Sequence, residues 1–340
     1  MRLNPGTKGL ENTLMSVLYP LTFEPIFKER IWGGRELETF YHKPLPQGVR
    51  IGESWEVSDR PGDASKITNG PLAGKTLRWL MEEHATEMLG NKSPVPAKFP
   101  LLIKIIDAQD KLSLQVHPPK GIAEKFGGDP KTEMWYVVKT KPGAELYVGL
   151  KKGVTRAEFE QKIANQTVAE CFHRIPVSAG DSIFLQSGRV HALGASTLIF
   201  EVQQNSDTTY RVFDWNRVDA SGKPRELHVA QSLASIDFND FEPSLLPAQF
   251  NSDADSNSTR PLVSNDLFNV SIRRITSRKS FSFETSRMRI LGLLEGTLTI
   301  KGAGQTAKLC PGQFCLLPAS VSGDCKASAG SKALYMDITL

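Results

Sequence analysis

Turn-forming residues cut this chain into short segments, and that punctuation constrains the fold more than any other feature. The sequence holds 27 glycines and 21 prolines. Between them lie β-type runs at 101–107, 112–117, 133–139, 145–149, 172–177, 182–186 and 197–203. Short strands at such spacing, separated by turn signals, predict a mainly β architecture of sandwich or jelly-roll type. Three helical patterns interrupt them. Residues 74–89 carry Leu77, Leu80, Met81, Met88 and Leu89 at helical spacing. Thr155 and Glu158 read as a capping box opening a helix that presents Phe159 and Ile163 on one face. Residues 226–236 add Leu227, Ala230 and Leu233.

At 340 residues the chain has room for one large domain or two ordinary ones. The segment 251–260 (NSDADSNSTR) almost lacks large apolar side chains and reads as an exposed linker. Beyond it strand-like runs resume, notably at 289–294 and 297–301. The expected division is a tail at 1–18, a main unit at 19–248, a linker at 249–262 and a smaller β unit at 263–340. An internal echo points to two related halves. Residues 180–186 and 312–318 each read as a glycine turn, an apolar strand and a second turn, at an offset of 132 residues. Carried forward by that offset, His191 meets Gly323, so the second copy keeps the strand and lacks the histidine.

Charge narrows the range of partners. Lys and Arg outnumber Asp and Glu by 41 to 37, but the excess is spread along the chain in clusters no longer than a pair such as Lys151 and Lys152. Nucleic-acid binding needs basic residues gathered on one face, so that class is set aside, while small anionic substrates stay open. No stretch approaches the ~18 apolar residues of a membrane span, and the first eighteen residues lack a secretory pattern. Cys171, Cys310, Cys315 and Cys325 form no CxxC. They are expected as reduced thiols of a cytoplasmic protein.

Candidate chemistry begins at 112–117. Leu112, Leu114 and Val116 share one strand face; Ser113, Gln115 and His117 share the other. Such a strand either turns its polar face to water or gives two ligands to a metal. Two further pieces bear on the choice. Glu133 opens an aromatic run (Lys131-Thr-Glu-Met-Trp-Tyr-Val-Val), and a carboxylate seldom enters a buried strand without a partner. The segment from Gly180 to His191 reads Gly-x5-Gln-x-Gly-x2-His. It resembles the second metal motif of the cupin superfamily, with Gln186 where proline usually stands. Gln115, His117 and Glu133 then match the first motif, with 118–132 as an inserted loop. Two histidines, a carboxylate and an amide oxygen suit a borderline divalent ion such as zinc. His42, His84, His173 and His228 share no ligand spacing and are expected to be structural.

A closer resemblance follows from Glu201, Ser206-Asp207 and Arg211, the last ten positions after the glutamate. This looks like the active-site segment of type I mannose-6-phosphate isomerases (phosphomannose isomerases). Arg30-Ile-Trp-Gly-Gly34, Gly52-Glu-Ser-Trp-Glu56, Phe99-Pro-Leu-Leu-Ile-Lys104, Gln115-Val-His-Pro118, Lys131-Thr-Glu-Met-Trp135 and Pro224-Arg-Glu-Leu-His228 follow in family order. Together they cover about residues 22–240, and the length resembles the short bacterial branch.

The resemblance implies two cupin-type halves, 19–248 catalytic and metal-binding, 263–340 metal-free. It implies interconversion of mannose 6-phosphate and fructose 6-phosphate through a cis-enediol, with one zinc per chain on Gln115, His117, Glu133 and His191. Glu201 is the leading proton-transfer base, with Lys131 or a water on the metal as competitors. Arg211 is expected to stabilise negative charge on the reacting atoms. Arg217, Ser113 and Lys104 are the phosphate candidates, Lys104 also reading as a lysine at a sheet edge. A monomer or small homo-oligomer is expected. Other classes to weigh are a cupin of different chemistry, such as an iron dioxygenase, and a non-catalytic sugar binder. Glu133, His191, Glu201 and Arg211 together favour the isomerase, since a binder has no use for the full set.

Overall fold

The computed structural model describes residues 18–90, 94–218, 222–252, 257–276, 280–284 and 286–340. The expected tail therefore lies outside the described residues apart from Leu18, which is buried. The longer strands of the first part are β1 (Ile26–Gly34), β2 (Ile51–Val57), β3 (Leu101–Ala108), β4 (Leu114–Val116), β5 (Glu133–Thr140), β6 (Glu145–Leu150), β7 (Phe172–Pro176), β8 (Ser182–Leu185), β9 (His191–Leu193), β10 (Thr197–Gln204) and β11 (Tyr210–Phe213). They form a six-stranded sheet, β1-β2-β3-β10-β5-β8, and a five-stranded sheet, β11-β4-β9-β6-β7. The mainly β expectation holds, and the runs seen in the sequence lie within a few residues of these strands.

Period-two alternation gives the six-stranded sheet two different faces. Ile106, Trp135, Val137 and Ile199 pack with Leu146, Val148 and Leu193 of the opposing sheet. The alternate residues Ile103, Ile105, Met134, Tyr136, Phe200 and Val202 join a core that includes Val270, Ile290, Phe314 and Ile338 of the C-terminal part. β3 is thus buried at every position, which is why it reads as one apolar run rather than an alternation.

The C-terminal part contains β12 (Asn257–Ser264), β13 (Asn269–Ile275), β14 (Arg289–Gly302), β15 (Gln305–Leu309), β16 (Phe314–Leu317) and β17 (Lys326–Thr339). The runs expected at 289–294 and 297–301 are one strand, β14, bent against β17 by register shifts after Leu293 and Gly296. Gly296 has φ +80°, and a Cβ there would meet the Lys332 carbonyl oxygen at 2.1 Å, so the bend requires glycine. The echo has a structural counterpart: β8 and β16 each follow a left-handed glycine, Gly180 (φ 96°) and Gly312 (φ 78°).

Two expectations need correction. The segment 249–262 is more than an exposed linker: Asn251–Ser252 and β12 are strands, while 253–256 lie outside the described residues. Arg260 is buried and donates to the carbonyls of Pro247 and Gly180 and to Ser182 Oγ, so a side chain assigned to a linker bonds the C-terminal sheet to β8. The helix expected over 74–89 is two, Leu77–Glu83 and Ala85–Leu89, broken at His84. The helix Arg156–Ala164 starts where expected, with Thr155 Oγ1 accepting from Glu158 N at 3.2 Å.

Candidate active site

The site lies between the two sheets, because its residues come from both. His191 opens β9 and pairs with Gln115 of β4 on the five-stranded sheet. Glu133 opens β5 on the six-stranded sheet, opposite Leu185 and Gln203. His117 follows β4 by one residue, and the inserted stretch before Glu133 holds a short helix, Lys120–Lys125.

Backbone carbonyls orient both imidazoles. His117 Nδ1 donates to Thr208 O and His191 Nδ1 to Arg189 O, each at 2.9 Å. That fixes the tautomer and turns both Nε2 lone pairs toward Glu133. His117 Nε2 lies 3.4 Å from Glu133 Oε2, and His191 Nε2 lies 3.4 Å from Oε1. The three ligand atoms fall within 4.8 Å of one another. Burial lowers the pKa of both imidazoles, His117 to about 3 with Lys131 adding to the effect, so both are neutral near pH 7. Burial opposes ionisation of Glu133, but Lys131 and the imidazoles hold it well below the usual carboxylate range.

Both Glu133 oxygens are buried without a hydrogen-bond partner. Lys131 Nζ forms an ion pair with Oε2 at 2.8 Å and a hydrogen bond with His117 Nε2 at 3.0 Å. A buried carboxylate with unsatisfied oxygens, facing two neutral imidazole lone pairs, is a donor set that fits a divalent cation. Gln115 Nε2 stands 3.3 Å from His191 Nε2. Rotation of that amide brings its oxygen to the same place.

Beside this cluster opens a cavity of about 470 Å³. Lys104, Ser113, Gln115, Lys131, Glu201 and Arg211, all singled out from the sequence, line it. Glu201 is almost wholly buried; its Oε2 accepts from Trp135 Nε1 at 2.7 Å and its Oε1 lies 3.2 Å from Lys104 Nζ. Burial and the nearby Glu133 raise the Glu201 pKa, with Lys104 and Lys131 opposing. Lys104 is not at a sheet edge: β3 runs between β2 and β10, and its ammonium is buried.

Arg211 pairs with Gln115 across β11 and β4. Its backbone is held by His228, whose Nδ1 accepts from Arg211 N at 3.2 Å and whose N donates to Arg211 O at 2.8 Å. Its Nη1 donates to Glu226 O, and its Nε is buried without a partner.

Arg217 departs from expectation. It turns to Asp214, Asp110 and the Lys111 carbonyl and is not among the cavity's lining residues. Arg225 lines the cavity instead, as do Arg30, Glu53, Asp207 and Trp135. Three of these sit in the motifs at 30–34, 52–56 and 224–228, so the sequence marked the segments. It did not mark their roles, because the direction of those side chains depends on strand pairing far along the chain.

Comparison with known proteins agrees with this geometry. The model of the family "Phosphomannose isomerase type I, catalytic domain" matches residues 21–162. The chain is 36% identical over 317 residues to "Probable mannose-6-phosphate isomerase GmuF" of Bacillus subtilis, covering 91% of this chain and 98% of that one. It is 41% identical over 216 residues to the mannose-6-phosphate isomerase of Streptococcus mutans, 63% of this chain and 66% of that one. The crystal structure of the mannose 6-phosphate isomerase from Bacillus subtilis superposes with a TM-score of 0.84 at 30% identity, over 94% of this chain and 99% of that chain. A match that extends through both halves at this identity is more than a shared fold: the chain belongs to the type I phosphomannose isomerase family.

Proposed function

We propose that this protein interconverts D-mannose 6-phosphate and D-fructose 6-phosphate in the cytoplasm, by proton transfer between C1 and C2 through a cis-enediol. The observation that carries the reading is the buried His117–Glu133–His191 cluster, whose neighbours Gln115 and Lys131 line a cavity together with Glu201 and Arg211. One zinc ion per chain would be held by those three residues, with Gln115 as fourth donor. Such an ion supplies Lewis-acid polarisation of a sugar carbonyl.

The protein's own groups do the rest. Glu201 takes the proton from one carbon and returns it to the next, and its raised pKa brings it nearer the working pH, as a general base requires. Trp135 Nε1 and Lys104 Nζ hold that carboxylate from two sides, so it meets the substrate in one orientation. Arg211 stays protonated and offers donors to oxygens that gain negative charge. Lys131, between His117 and Glu133, is the second group able to move a proton there. Trp32 and Trp135, both buried in the cavity wall, keep water from the reacting carbons.

The test is a coupled assay of purified protein with mannose 6-phosphate, before and after chelation and with zinc restored. Fructose 6-phosphate formed by the zinc-loaded protein, lost on chelation and regained with zinc, supports the reading. A zinc-loaded protein without turnover, or stoichiometric iron in the isolated protein, refutes it.

A further inference from the structure

We propose that His228 is a positioning residue for Arg211: its imidazole Nδ1 stands in for a strand carbonyl and holds the arginine in the place from which it acts. The proposal rests on the isomerase reading above, because it concerns how the arginine of that reading is kept in position.

β11 stands at the edge of the five-stranded sheet, next to β4. An edge strand presents a row of N–H and C=O groups with no strand to meet them. At Arg211 both groups are taken up by one residue. Arg211 N donates to His228 Nδ1 at 3.2 Å, and His228 N donates to Arg211 O at 2.8 Å. A residue of a neighbouring antiparallel strand makes the same two bonds with its N–H and its C=O. Here the imidazole takes the place of the carbonyl.

The arginine side chain is held as well. Tyr210 and Val212 pack with Leu114 and Val116, so alternation along the strand turns Arg211, between them, to the cavity that it lines. Its Nη1 donates to Glu226 O at 2.8 Å, while its Nε is buried without a partner. Residues 226 and 228 therefore grip Arg211 at its guanidinium and at its backbone. A donor fixed in this way needs no reordering as charge develops on the reacting oxygens, and such preorganisation is the source of its effect.

A role confined to the helix does not account for His228. It occupies the N-cap of the helix Val229–Ser235, yet its side chain makes no capping bond. Polar side chains favoured at this position accept from the first N–H groups of their own helix, whereas this one accepts from Arg211. The bond requires the tautomer with the proton on Nε2. Arg211 and Glu226 are the charged groups acting on the ring, and the Tyr210 ring lies 6.1 Å away. Burial and then Arg211 lower the His228 pKa, with Glu226 opposing, so the ring is neutral near pH 7 and Nδ1 is free to accept.

The experiment uses the zinc-loaded, full-length protein and the variants His228→Ala, His228→Asn and His228→Gln. Asn places its side-chain oxygen as many bonds from the backbone as Nδ1; Gln places it one bond further out, as far as Nε2. Asn is also at home at a helix N-cap, so that variant keeps the fold. In His228→Ala, kcat with mannose 6-phosphate should fall about 10–100-fold, between the loss of one hydrogen bond and a misplacement of about 1 Å, with KM and zinc content little changed. His228→Asn should recover most of the loss and His228→Gln should not. Unchanged kcat in His228→Ala, or equal activity in the Asn and Gln variants, overturns the proposal. Nitrogen NMR gives a readout independent of turnover. The His228 ring, identified by its absence in His228→Asn, should carry its proton on Nε2 near pH 7, and the Arg211 amide resonance should move as that ring titrates. A proton on Nδ1, or an Arg211 amide indifferent to the titration, also overturns it. If the NMR result is as expected but zinc-loaded wild type converts no mannose 6-phosphate, the isomerase reading fails and the hold of His228 on Arg211 stands.

Discussion

Arg289 faces Leu317 across β14 and β16 as Glu133 faces Leu185 across β5 and β8, so an arginine and a metal-type carboxylate stand at one register position in the two halves of the chain. The correspondence extends one strand further. Gln203 pairs with Glu133 and Thr339 with Arg289, which sets Asp337 at the position of Glu201. In the C-terminal half these two are a buried ion pair, Arg289 Nη1 to Asp337 Oδ2 at 2.6 Å. The guanidinium supplies directly the positive charge that, under the function proposed above, an ion would bring to the first half.

Metal analysis should accordingly find one zinc per chain, with none in the C-terminal half. Arg289→Ala should destabilise by about 3–5 kcal/mol, the usual cost of stranding a buried charge, reduced to the extent that Arg273, 2.9 Å from Asp337, compensates. Arg289→Met combined with Asp337→Leu should cost less than the single change. Denaturant unfolding of the three proteins decides it; equal losses for single and double variants would speak against the pair as a unit.

His117→Ala and His191→Ala should each abolish zinc retention, because each removes one of the three converging donors. Zinc content after dialysis, measured beside the circular dichroism spectrum, separates loss of the ion from loss of the fold.

Glu201→Gln keeps the shape and the bond from Trp135 but removes the base. Turnover should fall by about 10²–10⁴, and exchange of the C2 proton with solvent should fall with it. Exchange that persists at the wild-type rate would transfer the role to Lys131.

The pH profile carries a sign. Glu201 must be ionised to accept a proton, and Lys104 lowers a pKa that burial and Glu133 raise. Lys104→Met removes the lowering influence, so the acid limb of the kcat profile should move to higher pH. An unmoved limb would separate the two residues.

Arg211→Ala should lose about 10²–10³ in kcat, the size expected for one donor to developing charge, with zinc content unchanged. Near-normal turnover by a folded, zinc-loaded variant would refute its role. If Arg211 served only to hold the sheet, the thermal midpoint would fall while specific activity remained.

Much of this protein is fixed by patterns a few residues long. Alternation over 112–117 assigns Gln115 to one face because a strand has period two, and the cap at Thr155 is legible because both its partners lie within one helical turn. Left-handed glycines at 180 and 312 mark two related strands because few other residues tolerate that backbone. Such features depend on local geometry and survive any tertiary arrangement. The convergence of His117, Glu133 and His191 does not: it needs two sheets brought face to face, a pairing of segments up to seventy-odd residues apart. The exchange of Arg217 for Arg225 at the cavity is of the same kind. Both side chains are long, cationic and eight positions apart in the sequence, and Arg217 is drawn away from the cavity by Asp110 and the Lys111 carbonyl, acceptors that lie more than a hundred residues earlier in the chain. Arg260 is of the same kind. A polar, apolar-poor segment looks like linker, and only the docked C-terminal sheet supplies the buried carbonyls that make its arginine a structural bond.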